Sequence, residues 1–156
     1  MKTTEDPRPF PKPIKHGFTF ENVGFKYINT TRWVNRNLNF TLHAGEKLAL
    51  VGENGAGKTT LVKLLVRLYD PTEGRILLDG HDLREYDLSE LRMEIGIIFQ
   101  DFLRYQMTTN ENIAVGNIKE LNNQELIIKS AEQSLASPII ERLPNKYQQM
   151  LGRHFA

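Results

Sequence analysis

Hydrophobic and polar residues alternate in two stretches near the start of the chain. From Gly17 to Tyr27, Phe18, Phe20, Val23, Phe25 and Tyr27 are separated by polar residues. A period of two predicts a half-buried strand, with Asn22-Val23-Gly24 as the irregularity where the alternation slips. Leu38, Phe40 and Leu42 alternate with Asn39 and Thr41 and predict a second strand, after a turn over residues 32–37. The pattern then changes twice. Leu48 to Val51 is a short continuous apolar run, expected to be a buried strand. Leu61, Leu64, Leu65 and Leu68 follow at i, i+3, i+4, i+7, one face of a helix that the cluster Asp70-Pro71-Thr72-Glu73-Gly74 must stop near Tyr69. Further on, residues 75–78 and 95–99 read as strands, the latter buried. Residues 87–92 predict a short helix capped by Asp87 or Ser89, with another around 111–115. Residues 125–135 have helical spacing, and Pro138 interrupts them. Antiparallel strands, a strand–loop–helix unit, more strands and a helical tail together predict an α/β fold.

Composition narrows the picture. The chain has 156 residues, a formal net charge of +1 and no cysteine. Near-neutral charge gives no electrostatic case for nucleic acid or an anionic membrane surface. Without cysteine there are neither disulfides nor thiolate metal sites. No uncharged apolar run approaches about 18 residues, so no segment is expected to span a bilayer. Residues 1–16 carry Pro7, Pro9, Pro11 and Pro13 at alternate positions. They are expected to form an extended linker joined to something upstream in a longer parent protein. The four histidines and Trp33 suggest no site.

The chemistry lies between the apolar run and the helix, at Gly52-Glu53-Asn54-Gly55-Ala56-Gly57-Lys58-Thr59. This is G-x-x-x-x-G-K-S/T in its required context, after a predicted strand and before a helix: a phosphate-binding loop. At average residue frequencies its four fixed positions coincide by chance in roughly one chain in a few hundred of this length. Gly52, Gly55 and Gly57 permit backbone conformations closed to other residues, so that successive N–H groups, those of Asn54 and Ala56 among them, converge on an anion. The helix N-terminus adds unpaired amides and about half a positive charge. Lys58 reaches the β/γ-phosphates as a point charge, Thr59 offers a hydroxyl to Mg²⁺, and Thr60 serves the α-phosphate side. The expected cofactors are ATP and Mg²⁺.

A long run of text resembles the nucleotide-binding domain of ABC transporters, and in style the exporters among them. It comprises FENVGFKY (20–27), LHAGEKLALVGENGAGKTTLVKLL (42–65) and YDPTEGRILLDGHDLREYDLSELRMEIGIIFQD (69–101). The resemblance covers nearly everything from Phe18 to Arg153. It implies a phosphate-loop NTPase core with an N-terminal antiparallel β-subdomain and the start of a helical subdomain. The implied division is 1–16 linker and 17–156 partial ATPase domain, the latter split into a nucleotide-binding core (17–100) and a Q-loop with an incomplete helical subdomain (101–156). By the same resemblance Tyr27 stacks on adenine, and Gln100 is the Q-loop glutamine that completes the Mg²⁺ shell or positions water. Phe102 and Tyr105 fall where a transmembrane domain docks. A second nucleotide-binding domain would pair head to tail, and the parent would act at the cytoplasmic face of the cell membrane.

The family's serine-glycine signature, Walker B aspartate with its neighbouring glutamate, and later histidine are not found in these 156 residues. Hydrolysis needs positioned water and neutralised charge on the γ-phosphoryl group, so the chain is expected to hold Mg²⁺-ATP without turning it over. The Walker B strand would belong to the central parallel sheet. Without it, residues 48–51 and 95–99 are expected to expose apolar edges prone to association. Two other readings remain: a non-catalytic ATP-binding or interaction module, and a piece of a soluble ABC protein acting in DNA repair or on ribosomes. The proline linker and the lack of a basic surface count against the last.

Overall fold

The computed structural model describes residues 4–98 and 105–152, which fall in two compact units, Met1–Ile97 and Ile98–Ala156. The first is built on a four-stranded antiparallel sheet in the order β2-β1-β3-β4. Its strands are β1 (Gly17–Phe25), β2 (Asn35–His43), β3 (Glu73–Leu78) and β4 (His81–Asp82). The irregularity predicted in β1 is present: its registers with β2 and β3 shift at residues 20–25, and Asn22 has φ 49°. The shift has a physical purpose. Phe18 and Phe20 stand at even positions, Val23 and Phe25 at odd ones, so only an extra residue keeps all four on the apolar side.

Helix α1 (Lys58–Leu65) buries Leu61 and Leu64 in the core that Phe20, Val23, Phe25, Ile76 and Leu78 form. It ends about a turn before the expected Tyr69. Arg67 takes φ 49°, and its buried guanidinium donates to the Leu83 and Tyr86 carbonyls, which draws the chain out of the helix. Helix α2 (Leu88–Met93) is capped as expected by Asp87, whose carboxylate accepts from the Glu90 amide.

Two predicted strands do not form. Residues 48–51 adopt no strand, and Leu48, Leu50 and Val51 are 49%, 40% and 94% exposed. Residues 95–98 are likewise irregular, with Ile98 92% exposed. The reason is pairing. A strand is stable only with a neighbour to satisfy its backbone groups, and among the described residues neither run has one. Leu48, Leu50, Val51 and Ile98 thus present apolar surface, whereas Ile95 packs against the core.

The proline-rich start is extended but not free of the core. Arg8 forms a bridge with Tyr86, and Phe10 and Ile14 pack against the hydrophobic cluster.

In the second unit, α3 (Thr109–Ala114) opens with a capping box between Thr108 and Glu111. Helix α4 (Gln124–Gln133) buries Ile127 and Ala131, and Asn123 caps it. Pro138 begins rather than merely interrupts: it stands in the first turn of α5 (Ser137–Ile140), where its missing N–H costs nothing.

Candidate nucleotide site

The glycines of the loop behave as their spacing predicts. Gly55 and Gly57 take φ 85° and 87°. Gly57 is also sterically obligatory, because a Cβ there would collide with the Asn35 amide oxygen at the start of β2. That oxygen is buried and accepts no hydrogen bond among the described residues. Gly57 precedes α1, and no side chain caps the helix. The first-turn amides are therefore not claimed by a cap. With no acidic residue in the first turn and Lys63 in the last, nothing on the helix opposes an anion at its N-terminus.

The Lys58 ammonium closes over the loop and donates to the carbonyls of Gly52 and Glu53, both at 2.7 Å. An ammonium has three donors, so one remains for an incoming oxygen. Thr59 is exposed at the helix start. Its hydroxyl is a hard oxygen donor, which fits Mg²⁺. Thr60 is 5% exposed, and its hydroxyl lies 3.1 Å from the Tyr27 hydroxyl. The predicted base-stacking residue and the predicted α-phosphate residue are thus in direct contact.

Sequence reasoning did not anticipate that contact, nor the setting of the Tyr27 ring. Phe25 and Tyr69 meet it edge-on, with centroids 4.9 Å and 5.4 Å away. No spacing rule joins positions 27, 60 and 69. Trp33, assigned no part from the sequence, packs beneath two cations: Arg36 is 4.5 Å and Lys26 5.2 Å from its ring. Beside the loop, a hollow of about 460 Å³ opens between Leu38 and Phe40 of β2 and Leu48, Leu50 and Val51.

Gln100 and Phe102 lie outside the described residues. Tyr105, in the second unit, is 42% exposed. Among the described residues no three His, Cys, Asp or Glu side chains gather as a metal site. The Mg²⁺ ligands predicted here, a hydroxyl and an amide, were never of that kind.

A glycine loop running into an uncapped helix, with a lysine over its mouth, defines a phosphate-binding protein of the nucleotide-binding class. Comparison with known proteins places it within that class. The ABC transporter family model matches residues 35–153, and the chain belongs to that family. It is 38% identical to the mitochondrial iron-sulfur clusters transporter ATM1 of Saccharomyces cerevisiae over 152 residues, 97% of this chain and 22% of that protein. It is 41% identical to an ATP-dependent lipid A-core flippase of Methylobacillus flagellatus over 133 residues, 85% of this chain and 23% of the flippase. Among solved structures, a bacterial Atm1-family ABC exporter with ATP bound superposes with a TM-score of 0.84 at 33% identity, covering 97% of this chain and 26% of that one. The chain therefore spans between a fifth and about a quarter of the length of these relatives.

Proposed function

We propose that this chain is the ATP-binding part of an ABC exporter, and that its parent couples ATP binding and hydrolysis to export across a membrane. The observation that carries the reading is the loop from Gly52 to Thr60, with left-handed glycines at 55 and 57 and the Lys58 ammonium over its mouth. Lys58 holds the β- and γ-phosphates, the first amides of α1 and those of Asn54 to Gly57 surround them, and Thr59 with Gln100 completes the Mg²⁺ shell. Tyr27 stacks on adenine, and Thr60 lies on the α-phosphate side. Mg²⁺ held there would supply neutralisation of phosphate charge.

Docking to a transmembrane domain falls to the region of Phe102 and Tyr105, and a second nucleotide-binding domain completes the sandwich around ATP. The parent works at the cytoplasmic face of the membrane. In this chain, no helix among the described residues is long and apolar enough to cross a bilayer. ATP held by this chain alone is not hydrolysed, because the sequence provides a ground-state cradle without the signature, the Walker B acid or the later histidine. That favours a second reading for the isolated chain, a module that binds ATP without catalysis.

One experiment addresses both points. Equilibrium binding of Mg²⁺-ATP to the purified chain should saturate and weaken at least about tenfold in Lys58→Ala, the loss of a charge-assisted bond to phosphate. Phosphate release should stay at background. An affinity indifferent to Lys58→Ala removes the site assignment. Turnover that Lys58→Ala abolishes removes the claim of inactivity.

A further inference from the structure

The proline-rich arm is held along its length, and differently at each end. At the upstream end, Arg8 donates its amide to the Glu85 carbonyl at 2.7 Å and accepts from the Asp87 amide at 2.8 Å. Its side chain pairs with Glu85 at 3.0 Å. In the middle, the Phe10 amide donates to the Glu90 carboxylate on α2, at 2.8 Å, and Lys12 pairs with Glu94 at 2.6 Å. Prolines at 7, 9, 11 and 13 remove alternate donors. The contact with Tyr86 therefore stays a single bridge and does not propagate as a strand.

The downstream end is fastened by one side chain. Asp79, in the turn between β3 and β4, accepts from three consecutive backbone amides. Those of Lys15, His16 and Gly17 lie 2.9, 2.7 and 2.9 Å from its carboxylate. The Asp79 amide returns a bond to the Gly17 carbonyl at 2.9 Å. Gly17 is the first residue of β1, with φ 99°, and a Cβ there would collide with the Leu42 carbonyl. Arm, β1 and the end of β3 therefore meet at a point with no slack. Burial pushes the Asp79 carboxyl up, but the three amides and the neighbouring His16 together hold it below the usual carboxylate value.

We propose that residues 8–17 are a strap on the nucleotide-binding unit, latched by the Asp79 carboxylate, so that displacement of the arm is delivered to β1 instead of being absorbed by a loose linker. Strand β1 begins where the strap ends and stops two residues before Tyr27, so a single strand separates the strap from the predicted base-stacking ring. In the transporter reading this gives movement of an upstream membrane domain a stiff route into the nucleotide site. That consequence rests on the proposed function. The latch does not, and its test needs no nucleotide.

Amide hydrogen exchange on the full chain, read peptide by peptide, tests the strap. Asp79→Gly removes the carboxylate without strain, because position 79 has φ 48°, which glycine adopts freely. Asp79→Asn keeps one acceptor oxygen and tolerates the same φ. In the parent chain, amides 15–17 should exchange at least about tenfold more slowly than in an unstructured peptide. Asp79→Gly should release residues 15–17 by a comparable factor while residues 18–25 and 73–78 keep their protection, with Asp79→Asn between the two. An arm exchanging at the unstructured rate in the parent chain, or one unmoved by Asp79→Gly, overturns the proposal. Loss of protection across the whole sheet also overturns it, since Asp79 would then serve the fold and not the strap. Phe10→Ser supplies a second variant, outside the sheet and away from the turn that carries Asp79. It should loosen residues 8–14 and leave 15–17 protected, whereas release of both ends together would deny Asp79 the role of latch.

Discussion

Gly57 is where the loop's chemistry and the packing of the sheet meet. Its left-handed φ sets the turn into α1, and the Asn35 amide fills the space a side chain would take. Gly57→Ala should therefore destabilise by more than the roughly 1 kcal/mol that left-handed backbone costs an alanine. In urea melts, adding Asn35→Ala should recover the steric part and leave the backbone part, so the two changes will not add. The motif made a glycine at 57 legible, but Asn35 was not. Nothing in the letters says that the residue opening β2 lies against the loop, 22 positions on.

Asp82 carries a prediction of a different kind. Burial pushes its carboxyl up, but Arg84, through side chain and backbone, and the Arg75 charge outweigh that and hold it below the usual value. A carboxyl depressed in the folded state contributes stability that is complete above its unfolded value, about 3.9. That contribution is lost as pH falls through the lower folded value. The urea midpoint should therefore fall on acidification below about pH 4. Asp82→Asn should have a lower midpoint at neutral pH and a shallower acid decline.

Among the elements, α1 shows what periodicity is able to specify. Its spacing marked Leu61, Leu64, Leu65 and Leu68 as one face. Leu61 and Leu64 are buried, and Leu65 packs at the margin of the core. Leu68 is 41% exposed because the helix has already ended. Periodicity does not register a break made by Arg67 reaching carbonyls far along the chain. Leu64→Ala, at a position with 0% exposure, should cost about 2–5 kcal/mol by the usual cavity cost. Leu68→Ala should cost well under half of that. Paired denaturation curves of the two variants test the boundary directly. The bulge in β1 was legible for the opposite reason: it is a slip in a local alternation, and local alternation is written in the sequence.

For the molecule as a whole, the apolar run before the loop matters most. Leu48, Leu50 and Val51 have the composition of a buried parallel strand and remain uncovered beside the hollow bounded by Leu38 and Phe40. Exposed apolar backbone of this kind promotes association. Val51→Lys, at a side chain 94% exposed, should leave the melting behaviour within about 0.5 kcal/mol of the parent chain. It should also lower concentration-dependent association in sedimentation velocity. Unchanged association would place the sticky surface elsewhere.

The sequence by itself determined the alternating strands β1 and β2, the bulge, the glycine loop and the helix that follows. It also determined membership in the ABC transporter family. All of these rest on residues close together in the chain, where steric and donor requirements act locally. Tertiary structure alone decided whether 48–51 and 95–98 become strands, where α1 stops, that Tyr27 touches Thr60, and that the proline arm lies fastened to Asp79. Each of those depends on whether a distant backbone group or side chain lies within reach. A chain's letters state its needs, and only the folded molecule states which of them are met.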